Sequence, residues 1–308
     1  MNYIVHVLAA VFFAIPAVFA QPSVELAAQV LSTPGTITHD GVVRNYRLYV
    51  PSGAGPFPVV FVLHGLSTTG IAMERYTRFS KLAAEEKFIV VYPDGIDKRW
   101  NDRSYRFGST DDVGFIATLL DYIKAKNSVD ASRVYVTGAS NGGMLTHRLA
   151  CDMGERFAAV APVMADIPYL VQFHGNNAAP MPILMINGTA DPIVPFGRTT
   201  APQKKLNIVT ARQTVDFWVS KNGCTSPPVI TQLPDKDAED GTRIERWKYA
   251  PGSAQAEVVF YAVKGGGHTW PGAPVRHTVF GGFYGKTSHD MDAAKVIWKF
   301  FKQHVRKQ

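Results

Sequence analysis

The chain of 308 residues is 46% hydrophobic and 19% charged, with a formal net charge of +7. These are ordinary globular proportions, sufficient for one large core. The basic residues are scattered among acids except in the closing FFKQHVRKQ, so there is no stripe for a nucleic-acid partner; weak attraction to acidic cell-wall polymers stays open.

Residues 1–20, MNYIVHVLAAVFFAIPAVFA, contain no Asp, Glu, Lys or Arg and end in small residues around Ala20. They read as a cleaved secretory signal peptide, with an uncleaved anchor as the competing reading. No later run is long enough to span a bilayer, so no stable membrane association is expected after cleavage, and residues 21–308 are expected to form a single domain, secreted or periplasmic. Two cysteines, Cys151 and Cys224, leave open one disulfide or two buried thiols.

The stretch 36–51, TITHDGVVRNYRLYVP, alternates apolar and polar residues around Asp40-Gly41 and predicts an opening hairpin. Continuous apolar runs follow in 58–65, 88–95, 133–140, 181–191 and 256–268, each stopped by a polar or glycine-rich turn, as strands buried on both faces require. Helical spacing fills 76–87, 111–126, 142–157, 210–223 and 288–305, the last acidic at its start and basic at its end. Alternation of strand and helix predicts an α/β fold with a mostly parallel central sheet and helices on both faces. The proline-, glycine- and charge-rich stretches 224–249 and 271–285 are expected to be surface excursions.

The run RVYVTGASNGGM places Ser140 between a strand and a helical pattern, with Gly138 and Gly142 two residues to either side. This is the context of a nucleophile elbow, in which a strained turn lifts a serine hydroxyl above the sheet edge and tolerates only small flanking residues. A serine needs a base, and the base needs an orienting acid; in this architecture both follow in chain order. Asp191 after the run PILMING is the candidate acid, although Asp-Pro also initiates Asx turns. His268, reached from a strand through three glycines, is the candidate base. The histidines His174, His277 and His289 lack a strand leading into them, Asp94 comes too early in the order, and Asp111-Asp112 suit a helix start. The backbone N–H groups of Asn141 and Leu66 are the expected oxyanion donors, with His64 bracing the Leu66 loop by hydrogen bonding. No H-E-x-x-H, paired C-x-x-C or phosphate loop occurs, so neither metal nor cofactor is expected.

With these elements in place the chain resembles the secreted esterases grouped with polyhydroxybutyrate depolymerases and feruloyl or acetylxylan esterases, a branch of the α/β-hydrolases. The markers are LHG at 63–65, YPDG with the following RWND, DDVGFI, GASNGGM, FAAVAPV, INGTADPIVP and GGGHTWPG. The resemblance implies that Ser140, Asp191 and His268 form a triad, that Trp100 and Asn101 fall near the cleft, and that Asp112 and Trp270 shape the pocket. It further implies hydrolysis of an ester substrate through an acyl-enzyme, with feruloyl, aryl or acetyl esters of plant cell-wall polysaccharide ahead of hydroxybutyrate polymer or oligomers. A preference for an aryl group follows from aromatic residues expected around Trp100, Trp270 and 280–284. The loop after Leu66 lacks a cysteine that some relatives carry there. No binding module is expected after the last helix, so soluble esters or oligomers are expected ahead of solid polymer. A peptidase of the prolyl-oligopeptidase type, which shares GASNGG, would need a propeller for which the chain is too short. A polysaccharide-binding member that keeps the three residues as scaffold is the reading from another class.

Overall fold

The computed structural model describes residues 31–103, 110–175, 178–197, 207–252, 255–274 and 281–306. The expected signal peptide, residues 1–20, lies outside them, as do His277 and Phe280. The apolar runs become β3 (Phe57–Leu63), β4 (Ile89–Pro93), β5 (Val129–Ala139), β7 (Ile183–Gly188) and β10 (Val258–Lys264). β4 and β7 are buried throughout, and the other three over most or all of their carboxyl-terminal parts. Burial of both faces removes the alternation that a half-exposed strand would show.

These five strands and β6 (Ala159–Val163) pair in parallel in the order β4-β3-β5-β6-β7-β10. The hairpin β1 (Thr33–His39) and β2 (Val42–Tyr49) extends one side antiparallel, and β9 (Arg243–Ala250) with β8 (Thr225–Gln232) extends the other. Asp40 and Gly41 both have positive φ, 49° and 76°, as a two-residue turn matched to strand twist needs. The α/β-hydrolase architecture with a mostly parallel centre is thus the one read from the sequence.

Two readings change. The stretch 224–249 is not an irregular excursion: it supplies β8 and β9. Pro227 and Pro228 hid the strand, and they are tolerated because β8 is outermost and needs N–H donors on one side only. β6 was also hidden, because AVAPV is short and Pro162 lacks a donor; its ladder to β7 is registered only at Val160↔Ile183 and Val163↔Ile186.

The helices cover both faces. The predicted helix over 76–87 is divided into α1 (Gly70–Thr77) and α2 (Phe79–Glu86) by Arg78, whose backbone is left-handed at φ 58°, ψ 25°. α3 (Asp112–Lys126) is capped by Asp111, which accepts from Gly114 N–H at 2.9 Å. α4 (Asn141–Asp152) starts directly after Ser140. α5 (Tyr169–His174) places His174 at a helix end, and α6 (Ala211–Lys221) opens with a capping box between Thr210 and Gln213. α7 (Gly281–Tyr284) and α8 (Ala293–Phe301) follow. α8 buries Trp298 against Phe88, with ring centroids 4.0 Å apart, and Phe301 against Tyr135 at 4.7 Å.

At the start of β10, Glu257 lies 2.8 Å from Lys248 Nζ and 3.2 Å from His304 Nε2. The His304 contact, followed by Lys248 against the opposing effect of burial, pulls its pKa from 4.5 down to about 2. A carboxyl depressed in the folded state stabilises the fold above the unfolded value and loses that contribution as pH falls through the folded one. Glu257→Gln is therefore expected to flatten the acid limb of the unfolding free energy between about pH 4.5 and 2. Urea denaturation at stepped pH measures this, and an unchanged slope in that window would contradict it.

Candidate active site

In a parallel sheet all strand carboxyl ends share one edge, and the loops there can meet although far apart in sequence. Ser140 follows β5, Asp191 follows β7 and His268 follows β10, and these strands lie in the order β5-β6-β7-β10. The structure brings them together. His268 Nδ1 lies 2.7 Å from Asp191 Oδ2, the side chains being 6% and 1% exposed. Ser140 and His268 line one cavity of about 580 Å³.

Ser140 has φ 54° and ψ −119°, a conformation that side-chain-bearing residues rarely adopt, held by its N–H donating to Val163 O at 3.0 Å. The flanking glycines are obligatory. A Cβ on Gly138 would stand 2.5 Å from Gly142 O, and one on Gly142 would stand 2.4 Å from His64 O.

Asp191 makes the contacts of both readings that the sequence left open. Its Oδ1 accepts the N–H groups of Ile193 at 2.7 Å and Val194 at 2.8 Å, closing the turn, while Oδ2 faces His268. Since an ionised carboxylate only accepts, Nδ1 of His268 is the donor and Nε2 is left as the ring's acceptor. His268 is fixed by its own N–H to Tyr284 O at 2.6 Å and by the Tyr284 ring stacked at 6.3 Å. Sequence reasoning missed Asp166. It is fully buried, and its Oδ1 accepts from Asn187 Nδ2 at 3.0 Å. Burial, and then the charge of Asp191, raises its pKa well above the ordinary carboxyl value.

Leu66 lines the cavity at the end of the β3 loop, and Asn141 opens α4, so its N–H belongs to the unpaired first turn of a helix. His64 is a brace: Nδ1 bonds Gly65 O at 2.7 Å, Nε2 accepts Gly95 N–H at 2.9 Å, and burial lowers its pKa.

Trp100, Asn101, Asp112 and Trp270 are not in the cavity lining. Trp100 is fully buried, with its indole Nε1 donating to His64 O at 2.9 Å. Trp270 packs against Phe79, ring centroids 6.3 Å apart, and its N–H donates to the cavity-lining Tyr76 hydroxyl at 2.9 Å. Large apolar surfaces near a site gain more from burial in its wall than from exposure in its mouth. Asn101 is tied by its N–H to Asp112 Oδ2 at 2.7 Å, and Asp112 pairs with Arg44 at 2.6 Å, side chains 1% and 2% exposed. Removing one partner of such a pair strands a buried charge. Asp112→Ala is expected to cost about 3–5 kcal/mol of stability by chemical denaturation, and a loss under about 1 kcal/mol would show that Arg44 finds another partner. The lining is instead built from Leu66, Met73, Tyr76, Met164, Ile193 and Tyr284 with short hydroxyl side chains. Tyr284 lies in the aromatic stretch singled out from the sequence; Tyr76 carried no signal beyond its place on a helix.

Cys151 and Cys224 are free thiols, not a disulfide. Cys151 packs beside Gly175 and Phe217, and burial pushes its thiol up to about 12, while Cys224 Sγ contacts Ala256 O at 3.4 Å. Among the described residues His39, Asp40 and Asp111 have ligand-type atoms within 4.8 Å of one another, but none of the three lines the cavity. No described helix is long and apolar enough to cross a membrane.

A parallel sheet with a strained serine after one strand and an Asp–His pair after two others defines an α/β-hydrolase. The family model described as "Esterase PHB depolymerase" matches residues 44–194. The "Putative esterase NocK" of Nocardia uniformis subsp. tsuyamanensis is 30% identical over 82% of this chain and 79% of its own length. The chain belongs to this family and is an esterase of the feruloyl esterase, acetylxylan esterase and polyhydroxybutyrate depolymerase type. "Feruloyl esterase B" of Piromyces equi is 27% identical over 68% of this chain, which spans only 39% of that protein. In fold it is similar to the acetyl xylan esterase from Aspergillus awamori, with a TM-score of 0.56, 19% identity, and coverage of 77% of this chain and 94% of that one.

Proposed function

We propose that the protein is an exported serine esterase using Ser140, His268 and Asp191. His268 Nε2 takes the Ser140 proton as Oγ attacks the ester carbonyl, and the N–H groups of Leu66 and Asn141 hold the oxyanion. The protonated imidazole returns that proton to the departing alcohol, leaving an acyl-enzyme. A water deprotonated by His268 then releases the acid and restores the serine. Asp191 keeps the proton on Nδ1 and stabilises the imidazolium. The observation that supports this reading is the 2.7 Å Asp191–His268 pair together with a serine in strained geometry, His268 and Ser140 lining one cavity. A polysaccharide-binding role would have no use for that strain. Export rests on the leader at 1–20.

The substrate we favour is a feruloyl, aryl or acetyl ester of plant cell-wall polysaccharide. Among the described residues no Lys, Arg, Asp or Glu lines the cavity, which suits an uncharged acyl group. The Tyr76 and Tyr284 rings with Met73, Met164 and Ile193 suit an aromatic one. The test is parallel hydrolysis of methyl ferulate, acetylated xylan and hydroxybutyrate oligomers, with fluorophosphonate labelling. Labelling of Ser140 and the highest kcat/KM on methyl ferulate are expected. Preference for the oligomers would move the assignment to polyester chemistry, and neither turnover nor label would overturn the esterase mechanism.

A further inference from the structure

Two loops flank Ser140, one after β3 carrying His64-Gly65-Leu66 and the other opening α4 at Asn141, and a single residue bonds to both. Trp100 N–H donates to Asn141 Oδ1 at 2.7 Å, and Trp100 O accepts from Asn141 Nδ2 at 3.1 Å. Its indole Nε1–H reaches across to His64 O at 2.9 Å, and its ring lies 4.8 Å from the His64 imidazole. The residues beside Trp100 are tied to α4 as well. The Asn141 amide also donates to Asp102 Oδ2 at 2.7 Å, and Asn101 O accepts from Arg148 at 2.5 Å.

We propose that Trp100 is a positioning residue that sets the separation between the Leu66 and Asn141 N–H groups and thereby the fit of the oxyanion hole. This rests on the reading of Ser140 as nucleophile. A pair of backbone donors contributes to catalysis only when both come within about 2.7–3.1 Å of the developing anion, so slack between the two loops weakens the transition state more than the bound substrate. Strand-end loops have such slack unless something rigid spans them. An indole does so with two torsions, both locked here by complete burial. The Asn141 side chain, which the sequence presented only as the neighbour of the nucleophile, is the far end of this strut.

Trp100→Phe keeps a buried ring and the backbone bonds to Asn141 but removes the donor to His64 O. In the full-length protein, kcat for p-nitrophenyl acetate is expected to fall roughly 10- to 100-fold with KM within about threefold. The inhibition constant of a trifluoromethyl ketone, which binds as a tetrahedral oxyanion adduct, should rise by a similar factor. Asp102→Ala releases the Asn141 amide at the other end without touching the indole and should shift both quantities in the same direction, which keeps the inference testable if Trp100→Phe fails to fold. A lowered unfolding midpoint with kcat and ketone binding unchanged would make Trp100 merely structural and overturn the inference. A wild-type protein that neither turns over ester nor takes the fluorophosphonate label would instead overturn the underlying esterase mechanism.

Discussion

Ser140→Ala is expected to lower kcat for p-nitrophenyl acetate by on the order of 10³-fold or more while leaving the unfolding transition close to that of the wild type. The substitution keeps the Cβ that the backbone already accommodates at φ 54° and the bond from residue 140 N–H to Val163 O, so the turn should persist. What disappears is the hydroxyl that forms the covalent intermediate. A 10³-fold loss corresponds to about 4 kcal/mol of transition-state stabilisation. KM should move little, since the hydrophobic lining around Leu66, Met164 and Ile193 is untouched. Fluorophosphonate labelling should vanish together with activity. A variant that stays folded and retains more than a tenth of wild-type kcat would exclude Ser140 as nucleophile.

How far the sequence announced this site depends on whether its parts declare themselves locally. Ser140 does, because a strained elbow demands small residues at fixed offsets, and the clashes a Cβ would make at Gly138 and Gly142 show why. Asp191 and His268 were legible more indirectly: each follows a buried run, and a parallel sheet delivers the ends of such runs to one edge. The cavity lining was largely illegible. Tyr76, on α1, comes to the cavity through a tertiary contact in which its hydroxyl accepts the N–H of Trp270, 194 residues later in the chain. Trp100 and Trp270 looked like cleft residues because aromatic rings near a catalytic motif suit either a binding surface or its packed support, and periodicity does not separate the two. The strands β6 and β8 were hidden by prolines whose cost depends on where in the sheet they fall, a property of topology and not of local composition.

The buried carboxyls behind the site show the same dependence on tertiary placement. Asp112 and Asp166 are both almost completely inaccessible, yet one pairs with Arg44 while the pKa of the other is raised well above its ordinary value. Burial disfavours charge in each; a guanidinium 2.6 Å away compensates the first, while a neighbouring carboxylate reinforces the effect on the second. With Asp166 biased toward its neutral form, Asp191, 2.7 Å from the imidazole, is the carboxyl that the proposed stabilisation of a positive charge on His268 requires.

That condition makes Asp191→Asn the most discriminating substitution. The asparagine can be placed in only one orientation. Its carbonyl oxygen must occupy the Oδ1 position, because the N–H groups of Ile193 and Val194 point there and an amide NH₂ would confront two donors. The NH₂ therefore faces His268 Nδ1, 2.7 Å away in the wild type, and can only donate to it. The proton of the neutral imidazole is forced onto Nε2, which then has no lone pair to receive the Ser140 proton. The loop geometry is preserved and the tautomer is reversed, so kcat is expected to fall by about 10⁴-fold with KM changed only a few-fold and the unfolding midpoint nearly constant. Steady-state kinetics alongside the rate of fluorophosphonate labelling measures the effect, since labelling needs the same proton transfer and should slow in parallel. A folded variant whose kcat stays within tenfold of wild type would show that His268 does not depend on Asp191, and the chemistry assigned to this end of the sheet would have to be redrawn.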